Sequence, residues 1–73
     1  MKTSSDLLKD IYKEYQERLN SGAAKTCNSF NISTFIEKYG YSQSTINNLL
    51  DELESYGYIN RWIIDAFELI VED

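Results

Sequence analysis

Three glycines, Gly22, Gly40 and Gly57, are the strongest breaks in a chain that contains no proline. Glycine adopts backbone conformations that other residues avoid, and it commonly ends helices. The three glycines therefore divide the chain into four segments, each too short to form a domain by itself. Because a chain of 73 residues buries only about 60% of its unfolded surface, the four segments must share one small core in a single domain, residues 1–73.

The first segment, residues 1–21, predicts an amphipathic helix over about residues 4–21. Apolar side chains recur there at the three- and four-residue spacing of one helix face. Thr3 followed by Asp6 matches a capping box at the start of this helix. The stripe comprises Leu7, Leu8, Ile11, Tyr12, Tyr15 and Leu19, and its candidate dimer or partner residues are Leu8, Tyr12 and Tyr15.

The second segment predicts a loop over residues 23–31, within which residues 29–32 have the composition of a short strand. Ser33 is predicted to cap a short helix that runs through Tyr39, and Gly40 is predicted to end it in the left-handed conformation. The side of this helix that is predicted to be buried carries Phe35, Ile36 and Tyr39.

The third segment has the clearest helical pattern in the chain. Ser42 is a strong N-cap residue, and apolar side chains follow it at the spacing of one helix face. Gly57 is predicted to end this helix. The predicted buried face carries Ile46, Leu49, Leu50, Leu53 and Tyr56. The opposite face, predicted to be solvated, carries Gln43, Ser44, Asn47, Asn48, Asp51, Glu52 and Ser55.

The last segment changes from a helical period to a strand-like composition. Residues 58–64 and 67–71 are rich in β-branched and aromatic side chains, and Asp65-Ala66 between them predicts a tight turn, so we predict a C-terminal β-hairpin. Trp62 is predicted to seal the core over the preceding helix, because large aromatic residues usually do so in small domains. If Trp62 points outward instead, it is a candidate anchor for a dimer or a protein partner.

The order of a short helix, a turn, a second helix and a hairpin is that of the winged helix-turn-helix. The residues resemble that family as well, since residues 42–59, SQSTINNLLDELESYGYI, are similar to the recognition helix of bacterial winged-helix regulators. The shared features are the capping Ser42, the Thr45-Ile46 pair, the Leu-x-x-Leu spacing and the glycine that leads into the wing. The resemblance covers about residues 30–71 and implies an α+β fold with three helices and a C-terminal β-hairpin wing.

The resemblance also implies DNA binding, and with it transcriptional regulation of a bacterial or phage type. An α-helix fits the major groove, where its first turn reaches the edges of the bases. Side-chain amides suit that position, since an amide can pair with adenine through two hydrogen bonds. The residues predicted to contact bases are Gln43, Ser44, Asn47 and Asn48. The residues predicted to contact phosphates are Lys38, Ser42, Thr45 and Arg61.

The charge distribution argues against strong DNA binding by a single copy. The net charge is −5, and the acids are concentrated in the second half of the chain. Residues 1–40 carry six basic and five acidic side chains, whereas residues 41–73 carry Arg61 and seven acids. Because strong DNA binders neutralise about 6–10 phosphates, we predict a homodimer, which doubles the number of cations at the DNA.

The alternative is a protein-interaction module that does not bind DNA, such as an inhibitor, an antirepressor or a co-regulator. The acidic second half favours this hypothesis, as do six tyrosines, three phenylalanines and one tryptophan in so short a chain, because aromatic residues dominate binding hot spots. Small chains of this kind are common in phages and mobile elements, which is an argument by analogy. The two functions differ in the surface potential around residues 43–48, which is positive for DNA binding and negative for a protein partner.

The residue types that the chain lacks argue against several classes of function. Without histidine, and with Cys27 as its one cysteine, the chain offers neither a catalytic triad nor a zinc site. We therefore expect no enzyme activity, no metal and no cofactor. Cys27 is predicted to be a small buried residue, and a lone thiol is typical of a reducing compartment. No apolar run is longer than three residues and the start lacks the apolar core of a signal peptide, so we expect a cytoplasmic protein.

Overall fold

The computed structural model describes residues 2–71, which form three helices and one three-stranded antiparallel sheet. Helix α1 spans Ser4–Asn20, α2 spans Ile32–Tyr39 and α3 spans Gln43–Ser55. Strand β1 spans Ser29–Asn31, β2 spans Ile59–Ile63 and β3 spans Ala66–Leu69. Strand β3 lies in the middle of the sheet, in the order β1-β3-β2. The predicted α+β class is confirmed, and the order of elements is compatible with a winged-helix layout.

Helix α1 has the predicted cap. The Thr3 hydroxyl accepts the Asp6 backbone N–H, and the Asp6 carboxylate accepts the Thr3 N–H, so the capping box is formed. The Thr3 N–H stabilises the charged carboxylate and thereby lowers the pKa of Asp6. The fully packed face of α1 carries Leu7, Ile11 and Tyr15.

Helix α2 starts earlier than the sequence predicts. Its N-cap is Asn31, whose side-chain oxygen accepts the Ser33 N–H at 3.0 Å, so the prediction of Ser33 as the cap is wrong. Asparagine caps a helix as well as serine does, and the earlier start places Ile32 in the first turn, where it is buried. Gly40 follows the helix at φ 77°, in the left-handed region, as predicted.

Helix α3 has the predicted N-cap, but its buried face is shorter than predicted. Ser42 accepts the Thr45 N–H at 3.2 Å. The chain leaves the helix at Ser55 and turns at Gly57, whose φ is 83°. Tyr56 is therefore 63% exposed, and the prediction that it extends the buried face is wrong. The residues of α3 that are buried are Ile46, Leu50 and Leu53.

The C-terminal hairpin is present, with its turn one residue earlier than predicted. Strands β2 and β3 pair antiparallel, and the turn lies at residues 64–65 instead of 65–66. The register shifts between Arg61 and Ile63, which leaves Trp62 as an extra residue in β2. Such a bulge bends the strand and redirects the neighbouring side chains.

An aromatic cluster joins the sheet to α2. Phe30 on β1 lies opposite Phe67 on β3, and their stacked rings are 5.6 Å apart between centroids. The Phe35 ring of α2 lies 5.8 Å from Phe67 and 6.1 Å from Phe30. Aromatic pairs at these distances stabilise a core beyond the area that they bury. The remaining buried residues are Leu7, Ile11, Tyr15, Ile32, Tyr41, Ile46, Leu50, Leu53, Ile59 and Leu69.

The loop between α1 and β1 is fastened by Arg18, near the end of α1. Its guanidinium lies 4.1 Å from the centroid of the Phe30 ring and donates to the carbonyls of Cys27 and Ser29. Cys27 contributes its backbone to this contact, and its side chain is exposed. The prediction of a buried cysteine is therefore wrong, because the loop lies on the surface and packs through its main chain.

Candidate interaction surface on helix α3 and the hairpin

The first turns of α3 present three of the four predicted base-contacting side chains to solvent. Gln43, Ser44 and Asn48 are exposed. The hydroxyls of Ser42 and Thr45 are hydrogen-bonded to each other at 2.8 Å, and Ser42 also accepts the Thr45 N–H. These two predicted phosphate contacts therefore act together as the cap of the helix.

The fourth predicted base contact, Asn47, is already hydrogen-bonded within the chain. Its Nδ2 donates to the Gln43 carbonyl at 2.9 Å, and its Oδ1 accepts from Nη2 of Arg61 at 2.8 Å. A bidentate contact with adenine uses both ends of the amide. The two bonds fix the orientation of the Asn47 amide and leave it one N–H and one oxygen lone pair for any further contact.

Arg61, predicted to contact a phosphate, is folded back on α3. Its Nη1 lies 2.6 Å from Asp51 Oδ1, and its Nη2 donates to the Ile64 carbonyl at 3.0 Å. Only 15% of the Arg61 side chain is exposed. The backbone N–H of Arg61 donates to the Glu54 carboxylate at 2.9 Å, so α3 fixes both the side chain and the main chain of this residue.

Lys38, the other predicted phosphate-binding cation, lies between α2 and α1. Its Nζ is 2.7 Å from Glu14 Oε2 and 3.2 Å from Glu17 Oε2, and these bonds raise the pKa of Lys38. Glu14 also accepts the Tyr39 hydroxyl at 2.7 Å, and burial together with this bond raises the pKa of Tyr39 to about 12. Burial opposes the charge on Glu14, but the bonds from Lys38 and Tyr39 outweigh it and lower the pKa of Glu14.

Helix α3 and the hairpin consequently carry more acidic than basic side chains. Arg61 is the only basic residue among residues 41–73, and Asp51 neutralises it. Helix α3 and the hairpin carry further carboxylates that form no ion pair within residues 2–71. These carboxylates belong to Glu52, Glu54, Asp65 and Glu68.

The tip of the hairpin exposes three consecutive apolar residues. Trp62, Ile63 and Ile64, here named the hairpin tip, are 55%, 63% and 70% exposed. The prediction that Trp62 seals the core is wrong, because Trp62 is the extra residue of the β2 bulge. The sequence pattern does not single out Ile63 and Ile64 as surface residues. Their position beside a predicted turn could have indicated it, because the end of a hairpin lies away from the core. A clustered apolar surface with polar surroundings is typical of an interaction site.

A second apolar surface lies at the other end of the hairpin, between α1 and the turn that follows α3. An open cavity of about 620 Å³ separates these two elements. Four large side chains around this cavity are 44–63% exposed. These four residues and Gln16 are here named the tyrosine groove. The four are Tyr12, Tyr56, Tyr58 and Ile70. The sequence pattern places Tyr56 on the buried face of α3, and Tyr58 and Ile70 in the strands of the hairpin, so it does not indicate this surface.

The predicted dimer surface on α1 lies partly inside the molecule. Tyr15 is only 8% exposed, and its hydroxyl donates to the Lys25 carbonyl at 2.8 Å. Its prediction as a surface residue is therefore wrong, because Tyr15 belongs to the innermost stripe of the helix. Leu8 is half-buried against the core, and Tyr12 is 47% exposed at the rim of the groove.

Comparisons with known proteins leave the site to be interpreted from its own chemistry. No family model, no curated protein and no solved structure matches the chain. Among residues 2–71, no group of three or more His, Cys, Asp or Glu side chains is placed to hold a metal ion. None of the helices described here has the length and apolar character needed to cross a membrane.

Proposed function

We propose that the chain is a winged-helix protein-interaction module that binds a protein partner through α3 and the hairpin tip. The observation that carries the proposal is the pairing of both predicted phosphate-binding cations with carboxylates of the same chain. Lys38 is bound by Glu14 and Glu17, and Arg61 is bound by Asp51. Because DNA affinity depends largely on the phosphates that a protein neutralises, a surface without an unpaired cation suits DNA poorly.

The order of the elements supports the winged-helix part of the proposal. Helix α2, a short turn at residues 40–42 and helix α3 are followed by the hairpin, and β1 pairs with the second strand of that hairpin. This is the layout that the resemblance of residues 42–59 implies. In such a layout α3 occupies the position of the recognition helix, and the hairpin occupies that of the wing.

The hairpin tip supplies most of the binding energy in this proposal. Tryptophan is among the residues most enriched in binding hot spots, and Trp62 stands beside two exposed isoleucines. Asp65 lies in the turn that adjoins this tip, and Asp51 and Glu54 of α3 bind Arg61, the residue that precedes it. The partner is therefore a protein with an apolar pocket and a basic rim, and the chain acts on it as an inhibitor, antirepressor or co-regulator. Complementary charge would set specificity and the rate of association.

A DNA-binding transcriptional regulator of bacterial or phage type is the second candidate. The exposure of Gln43, Ser44 and Asn48 at the start of α3 favours it, since these side chains suit contacts with base edges. In this candidate Lys38 and Arg61 exchange their carboxylate partners for phosphates when DNA binds. This exchange contributes less binding free energy than a phosphate contact from an unpaired cation would, because each carboxylate loses its own partner.

A gel shift with mixed genomic fragments at low salt separates the two candidates. Even non-specific binding of DNA-binding domains is detectable at high micromolar protein, and we expect no retained DNA there. A shift that is lost in the double variant Gln43→Ala/Asn48→Ala, and kept in Trp62→Ser, would overturn the proposal in favour of the regulator.

Capture of a partner tests the role of the hairpin tip. We expect cross-linking in cells that express the chain to yield a protein that the double variant Trp62→Ser/Ile64→Ser no longer retains. Glu37→Ala, an exposed change on α2, is the matched control and should retain it. Equal recovery of that protein with all three chains would contradict a binding site at the hairpin tip.

A further inference from the structure

We infer that the tyrosine groove of one copy receives the hairpin tip of a second copy of this chain. The contact does not depend on the proposed function, although both use the hairpin tip, so a second copy and a protein partner compete for it. The inference rests on the shapes of the two apolar surfaces, on their opposite charges and on their positions in the fold.

The groove is a concave cleft lined by aromatic rings, with polar and apolar surface in similar measure, whereas the hairpin tip projects from the sheet. Tyr56 and Tyr58, with ring centroids 6.4 Å apart, stand between the cavity of about 620 Å³ and a second one of about 360 Å³. Cavities of this size accept groups as large as a drug-sized ligand. The groove is therefore wide enough for the side chains of a hairpin turn.

The α1 side of the groove is basic. Lys9 lies three residues before Tyr12, and Lys13 lies three residues before Gln16. At this spacing each lysine neighbours the groove residue on the helix surface. The backbone of Lys25 is fixed beside the floor of the groove, where its carbonyl accepts a tyrosine hydroxyl. In the described part of the chain none of these three lysines forms an ion pair.

The hairpin tip carries the opposite charge. Asp65 lies in the turn beside it and Glu68 lies on the adjoining strand, and both are free of ion pairs among residues 2–71. Glu52 lies on the groove side instead, next to the second cavity, where its carboxylate accepts the hydroxyls of Ser4 and Tyr56 and offsets one of the three lysines there. An acidic tip that enters a lysine-edged groove therefore gains from charge as well as from apolar burial.

Symmetric pairing of two α1 helices fits the charges less well. It would bring Lys9 and Lys13 of one copy beside the same lysines of the other. Asp6 offsets Lys9 in part, whereas Asp10, Glu14 and Glu17 are turned towards α2 and the following turn and offset the two lysines little. A contact between two different surfaces avoids this repulsion, and it replaces the symmetric dimer that the sequence predicts.

The positions of the two surfaces require two copies. The groove includes Tyr58, just before β2, and the hairpin tip lies at the far end of the same strand. Each strand residue advances the chain by about 3.3 Å, so the strand itself holds the tip away from the groove of its own copy.

Sedimentation equilibrium of the full chain, from micromolar to millimolar concentration, tests whether copies associate. We expect the mean mass to rise above that of the monomer. Trp62 is the only tryptophan, so its emission should shift to shorter wavelength as the mass rises. A monomer throughout this range would overturn the inference. If such a monomer still captures a protein through the hairpin tip, the proposed function stands without it.

Mixing two defective variants tests which surfaces meet. The tip variant is Trp62→Ser/Ile64→Ser, and the groove variant is Lys9→Glu/Tyr12→Ala. All four residues are exposed or at the rim of the groove, so circular dichroism should show both variants folded. We expect each variant alone to associate at least about tenfold more weakly, the scale of a lost hot spot. The control Glu37→Ala should associate as the unchanged chain does.

The mixture should associate again, because each variant retains the surface that the other lacks. The tip variant contains no tryptophan, so the emission of Trp62 in the groove variant reports this contact alone. We expect the Trp62 emission of the groove variant to shift to shorter wavelength when the tip variant is added. The same emission should not shift when more of the groove variant is added. A failure of the folded variants to complement each other would overturn the inference.

Discussion

Single carboxylates on α1 decide which polar groups of the neighbouring elements are free. Asp10 accepts the Tyr41 hydroxyl at 2.6 Å, and burial together with this bond raises the pKa of Tyr41. Glu14 accepts both Lys38 and Tyr39. These contacts fasten α2 to α1, and they pair the amine of Lys38 with carboxylates of the same chain.

Replacement of Glu14 by glutamine should change how stability depends on pH. The pKa of Glu14 is lowered from its ordinary 4.5, so its contribution is present above 4.5 and is lost as the pH falls through the lower folded value. We expect Glu14→Gln to be less stable than the unchanged chain at neutral pH and to lose less stability below pH 4.5. Urea unfolding across this range, with Glu37→Gln as an exposed control, measures both; parallel curves for all three chains would contradict the prediction.

The exposure of Trp62 can be read directly from its fluorescence. With 55% of this side chain in solvent, we expect long-wavelength emission and strong quenching by acrylamide in dilute, folded protein. Unfolding in urea should change both only slightly. Short-wavelength emission that resists quenching in the dilute monomer would show instead that Trp62 seals the core.

Whole elements are positioned by local signals at their ends. Helix α1 begins at a capping box, α2 at Asn31 and α3 at Ser42, and each cap binds a backbone N–H that would otherwise lack a partner. The hairpin depends on a different device, since the extra residue in β2 directs the hairpin tip away from the core.

The cap of α3 should be worth about 1 kcal/mol. Ser42→Ala removes the side-chain acceptor of the Thr45 N–H, and such changes cost about 0.5–2 kcal/mol. Ser44→Ala is the matched control, because Ser44 is exposed on the same helix outside the cap and should change stability by less than about 0.5 kcal/mol. Thermal unfolding of the two variants compares them, and equal destabilisation would contradict this role of Ser42.

The molecule as a whole combines a dense aromatic core with two exposed apolar surfaces. Phe67 touches both Phe30 and Phe35 and is fully buried, so it links the central strand to β1 and to α2. The net stability of a domain of 73 residues is about 4–11 kcal/mol. A single core residue can therefore contribute a large fraction of the free energy of unfolding.

Truncation of Phe67 should remove a large part of the stability of the chain. Phe67→Ala creates a cavity at the centre of the aromatic cluster, and such changes cost about 3–5 kcal/mol. Ile64→Ala, at a site that is 70% exposed, should change stability by less than about 0.5 kcal/mol. Circular dichroism with urea titration measures both, and a cooperative transition of Phe67→Ala close to that of the unchanged chain would count against this account of the core.

Local sequence patterns account for most of the helices, strands and turns of the chain. The α+β class, the caps at Thr3 and Ser42 and the left-handed Gly40 depend on residues within a few positions of one another, which a pattern can reveal. The short strand at residues 29–32 and the hairpin were predicted to within one or two residues at most ends. The errors at Ser33 and at the hairpin turn are shifts of two residues and one residue between side chains that can serve the same local purpose.

Which side chains are available for function depends on long-range contacts instead. Lys38 meets Glu14 across 24 residues of sequence, and Arg61 meets Asn47 across 14, so neither pairing leaves a local pattern. The exposure of Trp62 depends on a one-residue irregularity between paired strands, and the groove is assembled from three separated segments. Local free energies fix helices and turns, whereas the availability of a charge or an aromatic ring depends on which distant groups the fold brings to it.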